Sequence, residues 1–164
     1  MPALKLDAID RQILAELQAD GRMTNVELSR RVGISAPPCL RRVRTLEEAG
    51  LVRGYHADLD ARALGFDVMV FAQVGLRSQA GPDLVAFEKQ AQEWPLVRDC
   101  YMLNGEVDFL LRCVAPDLSS FQRFLTDDLT AAPNVASVRT QLVVRTSKSA
   151  PGLPLDLVMD DGTS

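Results

Sequence analysis

Five arginines and no acid lie between residues 30 and 44: Arg30, Arg31, Arg41, Arg42 and Arg44. A guanidinium is permanently charged and planar, so it can neutralise a phosphate or fork onto a guanine edge in a major groove. Spacing decides whether one element displays them. On a wheel at about 100° per residue, Cys39, Leu40, Val43 and Leu46 gather on one side. Arg41 and Thr45 point away from them, with Arg42 and Arg44 on the flanks. Arg41 and Arg42 have no acid four residues away on that helix to neutralise them. A solvated arginine face on an ordinary amphipathic helix is the bland alternative, and the surrounding elements weigh against it.

Those elements spell a helix-turn-helix. Thr24 and Glu27 form a T-x-x-E capping box that starts a helix at Thr24, with Val26, Leu28 and Val32 on its apolar side. Gly33 stops it by permitting a left-handed turn, Ile34 tucks inward, and Ser35 is a good N-cap for the next helix. Pro37 and Pro38 fall in the first turn of that helix, where backbone N–H groups have no intrahelical partner to lose. It runs to about Ala49, and Gly50 ends it. Upstream, residues 1–20 give a first helix with Asp7 as N-cap and Asp10 at N3. Its stripe is Leu6, Ile9, Ile13, Leu14 and Leu17. Downstream, Leu51–Asp58 is β-prone and is expected to fold back as the strand of a wing, with Arg53 against the DNA backbone and Tyr55 and His56 as packing residues. The candidate DNA contacts are Arg30, Arg31, Ser35, Ala36, Pro37, Pro38, Arg41, Arg42, Arg44, Thr45 and Arg53.

The net charge of −4 over 164 residues excludes a chain coated uniformly for nucleic acid. Residues 1–65 hold ten Lys/Arg against nine Asp/Glu, and residues 66–164 hold eight against thirteen. Basic charge is therefore local to the first part, and the acidic second part does not wrap DNA by itself. No stretch has the length of a membrane span, and Met1–Lys5 is no signal peptide, so a cytoplasmic protein is expected. Cys39, Cys100 and Cys113 are odd in number, lack C-x-x-C spacing and sit in apolar runs. They read as reduced thiols, not as disulfides or metal ligands. With one histidine, no G-x-S-x-G elbow, no P-loop and no dinucleotide fingerprint, no catalytic set, metal site or cofactor is expected.

The second part alternates in kind. Val68–Arg77 is a strand, apolar at Val68, Val70, Ala72, Val74 and Leu76. Gly81-Pro82-Asp83 opens a helix with Leu84, Phe87, Ala91 and Trp94 on one side, and Pro95 ends it. Val97–Leu103 and Val107–Val114 are strands joined by Asn104-Gly105-Glu106, a hairpin turn of the Asn-Gly kind. Pro116-Asp117 starts a helix with Leu118, Phe121, Phe124, Leu125 and Leu129 as its apolar face, and Val135–Thr146 is a last long strand. The order βαββαβ is ferredoxin-like: an antiparallel sheet with two helices on one face. Its other face is also partly apolar, which asks for a partner, most simply a second copy packed sheet to sheet in a two-fold dimer. The fold class is α+β: a winged helix-turn-helix over residues 1–60, a linker at 61–67, the ferredoxin-like domain at 68–148 and a C-terminal tail at 149–164.

The chain resembles the Lrp/AsnC (feast/famine) family of bacterial and archaeal transcription regulators from about Leu6 to Leu155. LDAIDRQILAELQADGRM, ELSRRVGIS, RRVRTLEEAGLVRGYHADLD and ALGF carry the likeness in the first part, and NGEVDFLLRCVAPDL in the second. The resemblance implies that Ser35–Thr45 reads double-stranded DNA and that the second domain is an effector-binding (RAM) domain. It also implies dimers that assemble further, commonly to octamers, on the nucleoid, with a small amino acid bound between RAM domains. The effector residues it implies are Asn104, Gly105, Glu106, Val107 and Asp108, with Asp108 able to pair with a ligand ammonium. Family members usually carry an aromatic where this chain has Val107, which bears on ligand preference. Read from residues alone, the same loop is a hairpin turn. Two other functions stay open at this level: an architectural protein that compacts DNA without an effector, and a ferredoxin-like enzyme.

Overall fold

The computed structural model describes residues 5–150 and 152–158; the tail end expected beyond 158 lies outside them. The chain divides into two compact units, one joining the chain up to Asp58 with the segment from Lys148 onward, the other Leu59–Ser147.

The first unit contains α1 (Ala8–Ala19), α2 (Asn25–Arg31) and α3 (Ala36–Glu48). Asp7 caps α1 with a full capping box: its carboxylate accepts the Asp10 N–H at 2.8 Å while the Asp10 carboxylate accepts the Asp7 N–H at 3.2 Å. Thr24 caps α2 through the Glu27 N–H, but the Glu27 carboxylate turns to Arg31 instead of closing the box, because a guanidinium is a stronger partner than a backbone amide. Ser35 holds the N-cap position of α3 without a side-chain cap bond. Gly33 and Gly50 take the left-handed φ expected of them, +73° and +72°. Ile13, Leu28, Val32, Cys39 and Leu46 form the core of the three helices. Leu40, expected on the apolar side, is exposed at its margin. Residues 51–58 form no strand. The first unit has no second described strand to complete a ladder, and a β-prone segment alone leaves its backbone to solvent.

The second unit runs β1 (Val68–Leu76), α4 (Gly81–Glu93), β2 (Val97–Met102), β3 (Phe109–Ala115), α5 (Leu118–Arg123) and β4 (Val135–Leu142). The antiparallel sheet has the order β2-β3-β1-β4, which the βαββαβ pattern anticipates. Val70, Ala72, Val74 and Leu76 of β1 and Phe109, Leu111, Cys113 and Ala115 of β3 alternate onto the helix side and are buried. There they meet Phe87, Trp94, Phe121 and Phe124; Phe87 lies 4.7 Å from Phe109, and Trp94 lies edge-on to Phe124 at 5.4 Å. A π-helical stretch, Phe124–Leu129, continues α5. Its wider turn buries Phe124 and Leu129, five residues apart; Leu118, expected on the apolar face, is half exposed at the start of α5. β4 stops at Leu142, short of Thr146: Leu142 pairs with Val70, and beyond it Val143 donates one more N–H to the Met69 carbonyl.

On the other side of the sheet lie Met69, Phe71 and Gln73 of β1 and Leu110, Arg112 and Val114 of β3. Neither α4 nor α5 covers them, and none is fully buried. Arg112 Nε donates to Asp99 there, and Tyr101, opposite Leu110, is 52% exposed.

Candidate nucleic-acid interface and effector loop

The angle between α2 and α3 is held by Asn25, whose Nδ2 donates to the Ala36 carbonyl at 2.8 Å. This bond fastens the first turn of α3, where Ala36 and Pro38 are half-buried and Ser35 and Pro37 are exposed. Sequence reasoning missed Asn25; the only signal was a polar amide directly after a helix cap.

The arginines divide into two groups. Arg42 donates from Nη1 to Asp7 and to Asp10, both at 2.7 Å, and so ties the capped start of α1 to the middle of α3. Arg31 bridges Glu16 of α1 at 2.9 Å and Glu27 of α2 at 2.7 Å. The expectation that no acid neutralises the arginine face is corrected here: for Arg42 the acids come from a different helix. Arg30, Arg41, Arg44 and Arg53 are exposed, and among the described residues none of them has an ion-pair partner. Arg41, Arg44 and Thr45 stand at i, i+3 and i+4 on the exposed side of α3. The Thr45 hydroxyl donates to the Arg41 carbonyl at 3.0 Å, leaving its lone pairs outward. Lys5, Arg41, Arg42 and Thr45 border a shallow hollow of about 230 Å³ between α3 and the start of α1. Hydrogen bonding by the Asp10 N–H, opposed by desolvation and aided by Arg42, holds the Asp7 carboxyl below its usual range.

Tyr55 and His56 take the packing role expected of them in part. The Tyr55 ring lies over Gly21 and its hydroxyl donates to Glu47 at 2.9 Å; burial, with the Glu47 charge behind it, pushes the phenol up to about 12. His56 is exposed.

In the second unit the β2–β3 connection is a six-residue loop, Leu103–Asp108, and not a tight Asn-Gly turn; Gly105 does not adopt a left-handed φ. The reason is Asp108. Its N–H donates to the Val74 carbonyl at 3.0 Å, and its Oδ2 accepts the Leu76 N–H at 2.7 Å, across the irregular register of β1 at Gly75/Leu76. The loop end is thus pinned to β1, and β3 begins only at Phe109. Asn104, Gly105 and Glu106 are exposed, Val107 and Asp108 half-buried. One Asp108 oxygen is therefore already engaged by the backbone. Also unforeseen, Asn134 with φ +68° clasps the end of β1: it accepts the Ser78 N–H at 2.9 Å and donates to the Ser78 carbonyl at 2.8 Å.

The three thiols are free. Burial raises Cys113 to about 12 and Cys100 to about 11. Among the described residues no group of three His, Cys, Asp or Glu side chains could hold a metal ion, and no helix is long and apolar enough to cross a membrane.

Comparison with known proteins matches both units to families. Residues 6–53 match a winged helix-turn-helix DNA-binding model, and residues 69–153 match the Lrp/AsnC ligand binding domain. The chain is 59% identical over 147 residues, 90% of its length and 94% of the relative's, to the leucine-responsive regulatory protein of Rhizobium meliloti (strain 1021). It is 40% identical over 149 residues, 91% of each chain, to the leucine-responsive regulatory protein of Escherichia coli (strain K12). Among solved structures it is similar to the L-Met complex of a Neisseria meningitidis transcriptional regulator, with 38% identity, a TM-score of 0.89, and coverage of 94% of this chain and 99% of that one.

Proposed function

The chain belongs to the Lrp/AsnC family of DNA-binding transcriptional regulators, and we propose that it acts as a sequence-specific, amino-acid-responsive regulator working as a dimer or larger assembly. The family is one of regulators, which sets the enzyme reading aside.

The observation that carries the proposal is the exposed face of α3, where Arg41, Arg44 and Thr45 stand clear of any described ion pair while Arg31 and Arg42 brace the helices beneath. In this reading α3 enters the major groove. Arg41, Arg44 and Thr45 face base edges or phosphates, Ser35–Pro38 approach the backbone, and Arg30 and Arg53 meet flanking phosphates. Arg42 serves DNA binding by tying α3 to the start of α1, and Arg31 by tying α2 to α1.

The uncovered sheet face around Met69, Phe71, Leu110 and Val114 supports pairing of two copies, with two recognition helices for two half-sites. The effector is a small amino acid held near Asn104–Asp108. Its carboxylate and ammonium find the exposed loop and the free oxygen of Asp108, and the modest volume of Val107 leaves room for an apolar side chain. Leucine and methionine come first as candidates, because relatives are named leucine-responsive and a structural neighbour is an L-Met complex. Further assembly to octamers and work on the cytoplasmic nucleoid complete the proposal.

The test is footprinting on DNA upstream of the protein's own gene at one fixed salt concentration, with and without leucine, methionine and a mixture of the other amino acids. Protection repeating about once per helical turn, altered by one amino acid, supports the reading. Protection indifferent to all of them favours an architectural role, and no protection at low salt sinks DNA reading altogether.

A further inference from the structure

The C-terminal segment lies on α1. Gln18 donates from Nε2 to the Leu153 carbonyl at 2.7 Å and accepts the Leu153 N–H at Oε1 at 2.8 Å. One side-chain amide thus makes the pair of bonds that a neighbouring strand would make. Gly152 has φ +77°, and a Cβ there would fall 2.1 Å from the Gln18 Cδ, so any other residue at 152 is strained and pushes the Gln18 amide out of the clasp. Past the clasp, Leu153 and Leu155 line an open, largely apolar cavity of about 680 Å³ together with Leu14, Leu17 and Leu51.

This segment is the direct continuation of the second unit, which ends at Ser147. Two stretches of chain therefore connect the units, one at Asp58/Leu59 and one at Ser147/Lys148. The second ends in a clasp that is not covalent. Its grip is light: two neutral hydrogen bonds at an exposed position, with Leu153 itself 70% exposed. Such a contact opens far more readily than the three-helix core beneath it.

We propose that the clasped segment Gly152–Leu155 is a strap, a releasable second tether on the DNA-binding unit. Docked, it restricts how far that unit swings on its first connection. Released, it lets a dimer accept a wider range of half-site spacings. This rests on the reading of the protein as a DNA-binding dimer.

The experiment uses the full chain and three single variants, Gln18→Ala, Gly152→Ala and Leu153→Ala, plus the double variant of the first two, all checked for folding by circular dichroism. Trypsin cleavage after Lys148 reports the strap. The ratio of affinities for two selected operators, differing by about five base pairs in half-site spacing, reports the tether. Gln18→Ala and Gly152→Ala should each speed cleavage about fivefold or more, as expected for loss of local protection. The double variant should be no faster than either, because both open one contact. In the same variants the affinity ratio should fall about threefold or more as the tether's constraint is lost. Leu153→Ala keeps both backbone bonds and removes only a side chain that is 70% exposed, so it should speed cleavage less than Gln18→Ala. Unchanged cleavage overturns the clasp; faster cleavage with an unchanged ratio overturns the tether. Failure of the unaltered protein to bind either operator removes the DNA-binding reading and the tether with it, while the cleavage rates still decide the clasp.

Discussion

Replacing Arg41 or Arg44 with alanine should separate reading from holding. Both side chains are exposed and, among the described residues, without an ion-pair partner, so their loss strands no buried charge. Stability should stay within about 0.5 kcal/mol, as for surface substitutions away from special features. DNA binding should not. In a two-fold dimer each substitution removes two guanidiniums. A phosphate contact contributes about 0.9 to the slope of log K against log salt, so a phosphate-holding arginine lowers the dimer's slope by about 1.8. A guanine-reading arginine leaves the slope nearly unchanged and weakens binding by about 1–3 kcal/mol per half-site, roughly 2–6 for the dimer. Arg42→Ala is the contrast, since it leaves Asp10, whose side chain is only 13% exposed, without its cation. Its unfolding midpoint should fall, and its DNA affinity with it. The assay is fluorescence anisotropy of a labelled operator at four salt concentrations, beside thermal melts of the same samples. Unaltered affinity and slope in both Arg41→Ala and Arg44→Ala would refute the reasoning. So would an Arg42→Ala variant that loses DNA at full stability.

Asn134→Ala removes two side-chain bonds to Ser78 and puts a Cβ-bearing residue without local hydrogen bonding at φ +68°; about 2–4 kcal/mol of stability should go, seen in urea unfolding, and Asn134→Gly should recover about 1 kcal/mol of it. Backbone hydrogen bonding from Ser120 holds the Asp117 carboxyl below its ordinary value of 3.8. A depressed folded pKa contributes stability that is present above the unfolded value and lost as pH falls through the folded one, so Asp117→Asn, which keeps the cap, should show a shallower loss of melting temperature below pH 4 than the unaltered protein. Burial lifts the Cys100 thiol from 9.0 to about 11, so at pH 8 its thiolate fraction is roughly 100-fold lower, and iodoacetamide should modify it only slowly until the protein unfolds. Rapid labelling of Cys100 in the native state would contradict the packing of β2 described above.

What was legible in the sequence was local. Gly33 and Gly50 mark positive φ because no other residue adopts it at so little strain, and Asp7 with Asp10 spells a cap across three residues. The alternation of β1 places the core face because side chains in a strand reverse at each step. What escaped depends on partners that only the fold brings together. Asp108 ends in a pinned loop because a β1 amide 32 residues away takes its carboxylate, so an Asn-Gly pair that would make a tight turn elsewhere does not make one here. Leu118, the first residue of α5, stays half exposed while Phe121 one turn on is buried, and helical spacing alone does not mark where that margin falls. Glu27 had two partners in range, the Thr24 N–H and Arg31, and helical spacing alone does not rank them.

The arginine cluster shows how that limit bears on function. Read along the chain, its members look equivalent; in the fold, Asp7 and Asp10 reach Arg42 from 35 and 32 residues away, and Glu16 reaches Arg31 from 15. Two arginines are thereby withdrawn from the charge offered to DNA, and α3 gains an anchor at its middle to match the Asn25 bond at its first turn. On the proposed reading, a recognition helix fixed at two points would present Arg41, Arg44 and Thr45 with little backbone freedom left to lose on binding, the rigid support that base readout needs. The division of labour therefore makes a sharper claim than net charge does. Converting Arg42 to lysine keeps the charge but shortens the side chain by one bond, drawing the donor back from the place where Nη1 meets both carboxylates, so it should weaken specific binding more than non-specific binding. If both fell equally, Arg42 would be touching phosphate and would belong with the reading arginines.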